Sequence, residues 1–142
     1  MDDRWKTSWD AFAREVASRF NSGEDDAGLS SRFGGKTVRW FGVIAEMQLS
    51  AQYAPGISLR MPSVRLPVRG DVTYIAEQVF VGTTPELSDA WRDTDVGDEV
   101  EFDCEIGAGN ELFPGIRVSV FEEEKECFLE LALERARLRC VR

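Results

Sequence analysis

The sequence predicts a mainly β chain with some helix (α+β), and three stretches carry that prediction. In "EVEFDCEI", residues 99–106, acidic and apolar side chains alternate without a break. In "KTVRWFGVIAEMQL", residues 36–49, both parities are apolar near the middle. In residues 5–20, Trp5, Trp9, Phe12, Val16 and Phe20 recur at spacings of four, three, four and four. Strand side chains point alternately to opposite faces, so the first two patterns are strands. The third draws one stripe along a helix.

The elements follow in chain order. The leading helix occupies residues 1–23. Thr7 with Asp10 three residues on resembles a capping box, and Gly23 in "NSGEDDAG" is suited to a left-handed terminator. A helix with such an aromatic face must bury it, and packing on the protein's own sheet is expected. The long strand from Lys36 to Leu49 reads as buried on two sides, with Gly42 marking a bulge or bend. "SAQYAPG" follows as a loop. "ISLRMPSVRLPV" reads as an edge or interrupted strand, because Pro62 and Pro67 cannot donate to a ladder. "DVTYIAEQVFVG" is rich in β-branched and aromatic residues and forms the third strand. In "TTPELSDAWRD", Thr84 as cap and Pro85 in the first turn predict a short helix.

The alternating strand comes fourth, and after the turn "GAGNELFPG" another strand, "IRVSVF". The tail 122–140 is ambiguous. Its residues are good helix formers, but Glu122, Glu126, Glu130 and Glu134 stand four apart and would repel along a helix. Leu129, Leu131 and Leu133 alternate, and Ala136, Leu138 and Cys140 alternate after a one-residue slip at Glu134-Arg135. That is a strand with a bulge, and a strand is expected here.

Composition narrows the function classes. The 142 residues suit one domain, and 43% hydrophobic with 30% charged is ordinary globular content. No stretch reaches the length of a membrane span, and "MDDRWKTSWD" lacks a basic flank followed by an apolar run; no membrane contact and a cytoplasmic location are expected. The three cysteines, Cys104, Cys127 and Cys140, show no CxxC spacing, and a reduced, buried Cys104 is expected. With no histidine, Ser-His-Asp and Cys-His catalysis and His-containing zinc sites are excluded. No calcium loop, phosphate loop or dinucleotide fingerprint occurs. A non-enzyme without cofactor or metal is the expectation.

Net charge is −9 and uneven: residues 1–71 sum to +1 and residues 72–142 to −10. An acidic half repels nucleic acid and favours a basic protein partner. The candidate contact surface is therefore acidic: Glu99, Glu101, Asp103 and Glu105 on the alternating strand, with Glu122, Glu123, Glu124 and Glu126 expected on the next strands as one patch. A solvated outer face is the plain alternative.

The order of helix, long bent strand, two strands, short helix and three strands resembles the OB-fold, a Greek-key β-barrel with a helix between its third and fourth strands. The resemblance rests on "GKTVRWFGVIAEM" with Gly42 at the bend, "TPELSDAWRD", and "VGDEVEFDCEI" leading into the fourth strand. "FLELALERARL" is also similar to the closing strand of small bacterial domains grouped with anticodon-binding OB domains. The similarity spans residues 36–140. It implies a binding module, with single-stranded nucleic acid or oligosaccharide as the alternative ligand on the second and third strands. That face would include Arg60, Arg65 and Arg69, with Tyr74 and Phe80 as stacking groups unless both are core, which their shared parity favours. Carried through, the leading expectation is an inhibitor- or immunity-type protein covering a basic site.

Overall fold

The computed structural model describes residues 3–49, 55–107 and 115–142; the loop expected at 50–56 and the turn expected at 107–115 lie mostly outside them. A 3-10 turn at Arg4–Lys6 leads into α1 (Trp9–Asn21) and α2 (Asp26–Phe33). Then come β1 (Thr37–Gln48), β2 (Gly56–Pro67), β3 (Thr73–Gly82), α3 (Pro85–Arg92) and β4 (Glu99–Ile106). The chain ends with β5 (Ile116–Phe121), β6 (Glu126–Leu131) and β7 (Leu133–Val141). Mainly β with an N-terminal helix and a short helix between β3 and β4, the chain has the expected α+β class.

The sheet runs β2-β1-β4-β7-β3-β6-β5, and β2 also pairs with β3. The pairings therefore close on themselves through β1, β2, β3, β7 and β4. Closure is partial, because β3 meets β7 only at Val81 and Leu133. β6 and β7 lie end to end along β3, as one strand interrupted at Ala132. Inside lie Trp40, Ile44, Leu59, Tyr74, Val81, Val100, Phe102, Ile106 and Ala136, in one continuous apolar core.

The α1 stripe packs as its spacing requires. Phe12 is fully buried among Trp5, Trp9, Phe33 and Trp40, with ring centroids 5.0–6.1 Å apart. Indole N–H groups find carbonyls, Trp40 donating to Trp5 and Trp9 to Pro62. The cap differs from expectation. Ser8, not Thr7, accepts from Ala11 N–H, because Trp5 belongs to the preceding 3-10 turn. Gly23 terminates α1 at φ +98° as expected.

α2 is an element that the chain's spacing hides: it has only eight residues, contains Gly28, and is capped by Asp25. Its task is to cover the free edge of β5. Ser30 accepts from Ile116 N–H and donates to Ile116 C=O, and Asp26 accepts from Val118 N–H. Side chains of a helix thus satisfy backbone groups that an open edge would offer to another strand.

Gly42 marks a close approach rather than a bulge. A Cβ there would stand 2.8 Å from Met61 Sδ and 3.2 Å from the Arg60 carbonyl. The register shift of β1 against β2 falls between Ile44 and Glu46. β2 is continuous: Gly56–Arg60 pair with both β1 and β3, whereas the proline-bearing half pairs with β3 alone, so the edge expectation holds for that half. Pro62 is accommodated where the β2–β3 register shifts between Arg60 and Val64, beyond the last pair with β1. The bulge expected at Glu134-Arg135 is present: β7 advances three residues against two of β4 there, and Arg135 has φ +56°.

Candidate functional site

β4 is flanked on both sides, and that decides what its carboxylates do. β1 and β7 both pair with it antiparallel. Val100, Phe102, Cys104 and Ile106 face the core and are buried, as the alternation requires. Of the outward acids only Glu99 is exposed; Glu101, Asp103 and Glu105 are half-buried between their neighbours. Those neighbours carry arginines. Arg39 on β1 donates to Asp103 at 2.8 Å through Nε and 3.4 Å through Nη2. Arg139 on β7 donates to Glu101 at 3.1 Å and reaches Asp103 at 3.5 Å. Arg142 lies 3.4 Å from Glu99 and stacks 3.7 Å over the Phe41 ring. The Arg39 guanidinium titrates above its ordinary range, chiefly through its hydrogen bond to Asp103 and despite some desolvation. The outer face of β4 is therefore a ladder of mixed charge. Three of its four acids are neutralised from within.

Glu122, Glu123 and Glu124 stand elsewhere. They form the turn between β5 and β6, all three exposed, and make no ion pair or hydrogen bond with a side chain among the described residues. Lys125, at φ +57°, turns away to Asp71 at 2.6 Å. Glu126 opens β6, half-buried opposite Phe121. β7 and β3 separate this hairpin from β4, so the two acidic groups are not strand neighbours and do not meet in one patch. The parallel pairing of β3 with β6, invisible to local patterning, places them apart.

The basic face of β2 is mostly engaged. Arg65 pairs with Glu77 at 3.2 Å, and Ser63 donates to the same carboxylate. Arg69 donates to the Phe20 carbonyl at the end of α1 and stacks on the Phe20 ring at 4.1 Å. Of the three, Arg60 alone is exposed with neither an ion pair nor a side-chain hydrogen bond among the described residues. Tyr74 is fully buried, and its hydroxyl has no hydrogen-bond partner among the described residues. Phe80, expected to share its face, is 53% exposed. Between Ala76 and Val79 the inward parity of β3 changes, opposite the β2 register shift, and this separates the two aromatics. The Phe80 ring lies over Gly56, where any Cβ would collide with it at 2.2 Å.

The feature that sequence patterning misses lies between Phe80 and the hairpin. β3 pairs with β6 at Thr73–Ile75, then with β7 only at Val81, and between those points the strands part. A groove of about 360 Å³ opens there. Ile75, Val79 and Leu129 form its floor; Phe80, Phe128 and Leu131 are its walls; Glu77 and Glu130 stand at its rim. Phe121, half-exposed at the end of β5, stacks edge-on against Phe128 at 5.6 Å and carries the apolar surface toward the acids of the turn. Among the described residues no three Asp, Glu or Cys side chains converge as metal ligands, and no helix is long and apolar enough to cross a membrane. No family model, no curated protein and no solved structure matches the chain.

Proposed function

We propose that this chain is a non-catalytic binding module that engages a basic protein partner, of the kind an inhibitor- or immunity-type protein covers. The strand ring β1-β2-β3-β7-β4 with α3 between β3 and β4 supports the OB-like reading, and with it the expectation of binding rather than catalysis. One observation carries the reading of the partner. Glu122–Glu124 are exposed and make no ion pair or side-chain hydrogen bond among the described residues, and the Phe121–Phe128 pair leads from their turn to an apolar groove with Glu130 at its rim. Apolar floor with acidic rim is the anatomy of a contact surface for cationic chains: the apolar part supplies affinity, and the charges supply rate and specificity. The acids of β4 take no direct part in this reading, because arginines already occupy Glu99, Glu101 and Asp103. The oligonucleotide alternative draws less support, since Arg65 and Arg69 are engaged within the chain.

The test is a lysine- and arginine-rich peptide carrying one aromatic residue, followed by fluorescence anisotropy. Changing Glu122, Glu123 and Glu124 to Gln weakens binding, and the difference shrinks as salt rises. Replacing the peptide's aromatic residue with serine also weakens it. Binding indifferent to both changes would overturn the reading.

A further inference from the structure

A second cavity lies away from the hairpin, and its charge is opposite to that of the chain. It is a cleft of about 640 Å³ between the 3-10 turn, α1, the end of α2 and the start of β1. Six cations line it against three acids, a net of +3. The rest of a chain of −9 therefore sums to −12. The volume falls within the range of small-molecule sites, about 300–1,000 Å³.

The cations are held rather than consumed. Arg14 donates to Asp10 at 2.9 Å and Arg32 to Glu24 at 3.1 Å, each through Nε. Their hydrogen bonds within the chain leave both terminal nitrogens for another acceptor, and a guanidinium has five N–H donors in a fixed fork. Arg19 is bound more fully, by Glu15 at 2.7 Å and Glu24 at 3.6 Å, and serves to anchor that network. Lys36 is exposed, with no ion pair among the described residues. Beside these stands an aromatic surface. Trp5 is only half-buried, whereas Trp9, Trp40 and Trp91 are all buried. Phe33 beneath holds Trp5 edge-on at 5.0 Å.

We infer that this cleft binds a phosphorylated small molecule that carries a planar ring, with the phosphates on Arg14, Arg32 and Lys36 and the ring against Trp5. Bidentate guanidinium contacts suit phosphate oxygens, and a π face suits a base or similar heterocycle. The site is independent of the hairpin surface, and each reading can fail alone.

The probes are ATP and inorganic tripolyphosphate, titrated at low salt by calorimetry and by tryptophan fluorescence. Trp5 is the indole that a ligand reaches. ATP is expected to bind more tightly than tripolyphosphate, and R14E/R32E to weaken it by about tenfold or more. Trp5→Leu is expected to erase the preference for ATP while sparing tripolyphosphate. Circular dichroism checks that each variant folds. If R14E/R32E does not, Lys36→Glu, at an exposed position, carries the same test. Gln in place of Glu122, Glu123 and Glu124 leaves ATP binding unchanged. Failure of both anions to bind, equal binding of the two, or affinity unmoved by the charge reversals would overturn the assignment.

Discussion

At the scale of single residues, burial governs which groups keep their protons. Burial pushes the Cys104 thiol well above its ordinary 9.0, with the neighbouring Asp103 charge adding to the effect. The Cys127 thiol is raised by burial too, against a smaller opposing influence from Arg69. The Tyr74 phenol rises far above 10.0, again chiefly by burial. In each case the native state holds a proton that the unfolded chain gives up. The stability tied to these groups is fully present below their ordinary values and drains away as pH climbs past 9 and 10 toward the raised ones. Unfolding free energies from denaturant titrations at pH 8 and upward should therefore fall, by at most about 1.4 kcal/mol per pH unit for each group that ionises. A midpoint flat to pH 11 would mean these groups are solvated. The buried thiol of Cys104 was legible, because alternation alone set its face. The opposite environments of Tyr74 and Phe80 were not. They share parity, and the face change at Ala76–Val79 follows from a register shift on a different strand.

At the scale of elements, long periodic segments could be read and short or non-local ones could not. The α1 stripe from Trp9 onward, the cap and proline of α3, and the Glu134-Arg135 slip all report local geometry, and all three took the expected form. α2 is not legible in the sequence because eight residues with an internal glycine carry little periodicity. Its role of bonding the β5 edge connects positions 86 and 92 residues apart. The aromatic seat of α1 gives a direct check. Phe12 is fully buried among four aromatic neighbours, so Phe12→Ala should cost about 3–5 kcal/mol of unfolding free energy by denaturant titration. An unchanged midpoint would instead mark α1 as a surface free for a partner.

At the scale of the whole molecule, the alternation of β4 and its meaning came apart. Which side chains point outward could be read from eight residues. What the outward carboxylates meet could not: Arg39 lies 64 residues before Asp103 and Arg139 lies 36 after it, brought together only by the sheet. The same topology carries Glu122–Glu124 to the far side of β7 and β3, on the hairpin whose Phe128 walls a groove opened where β3 parts from its neighbour. A charge count sees seventeen acids in the second half of the chain. Among the described residues the fold divides them into those that arginines neutralise and those that no ion pair holds. The most direct test of that division is an NMR titration of the ¹⁵N-labelled protein with the cationic, aromatic-bearing peptide. The amides of Glu122–Glu126, Phe80 and Phe128 should shift in a saturable way while those of Glu99–Glu105 stay in place. Shifts centred on Glu99–Glu105, with the hairpin unmoved, would contradict the assignment of the contact surface to the β5–β6 turn.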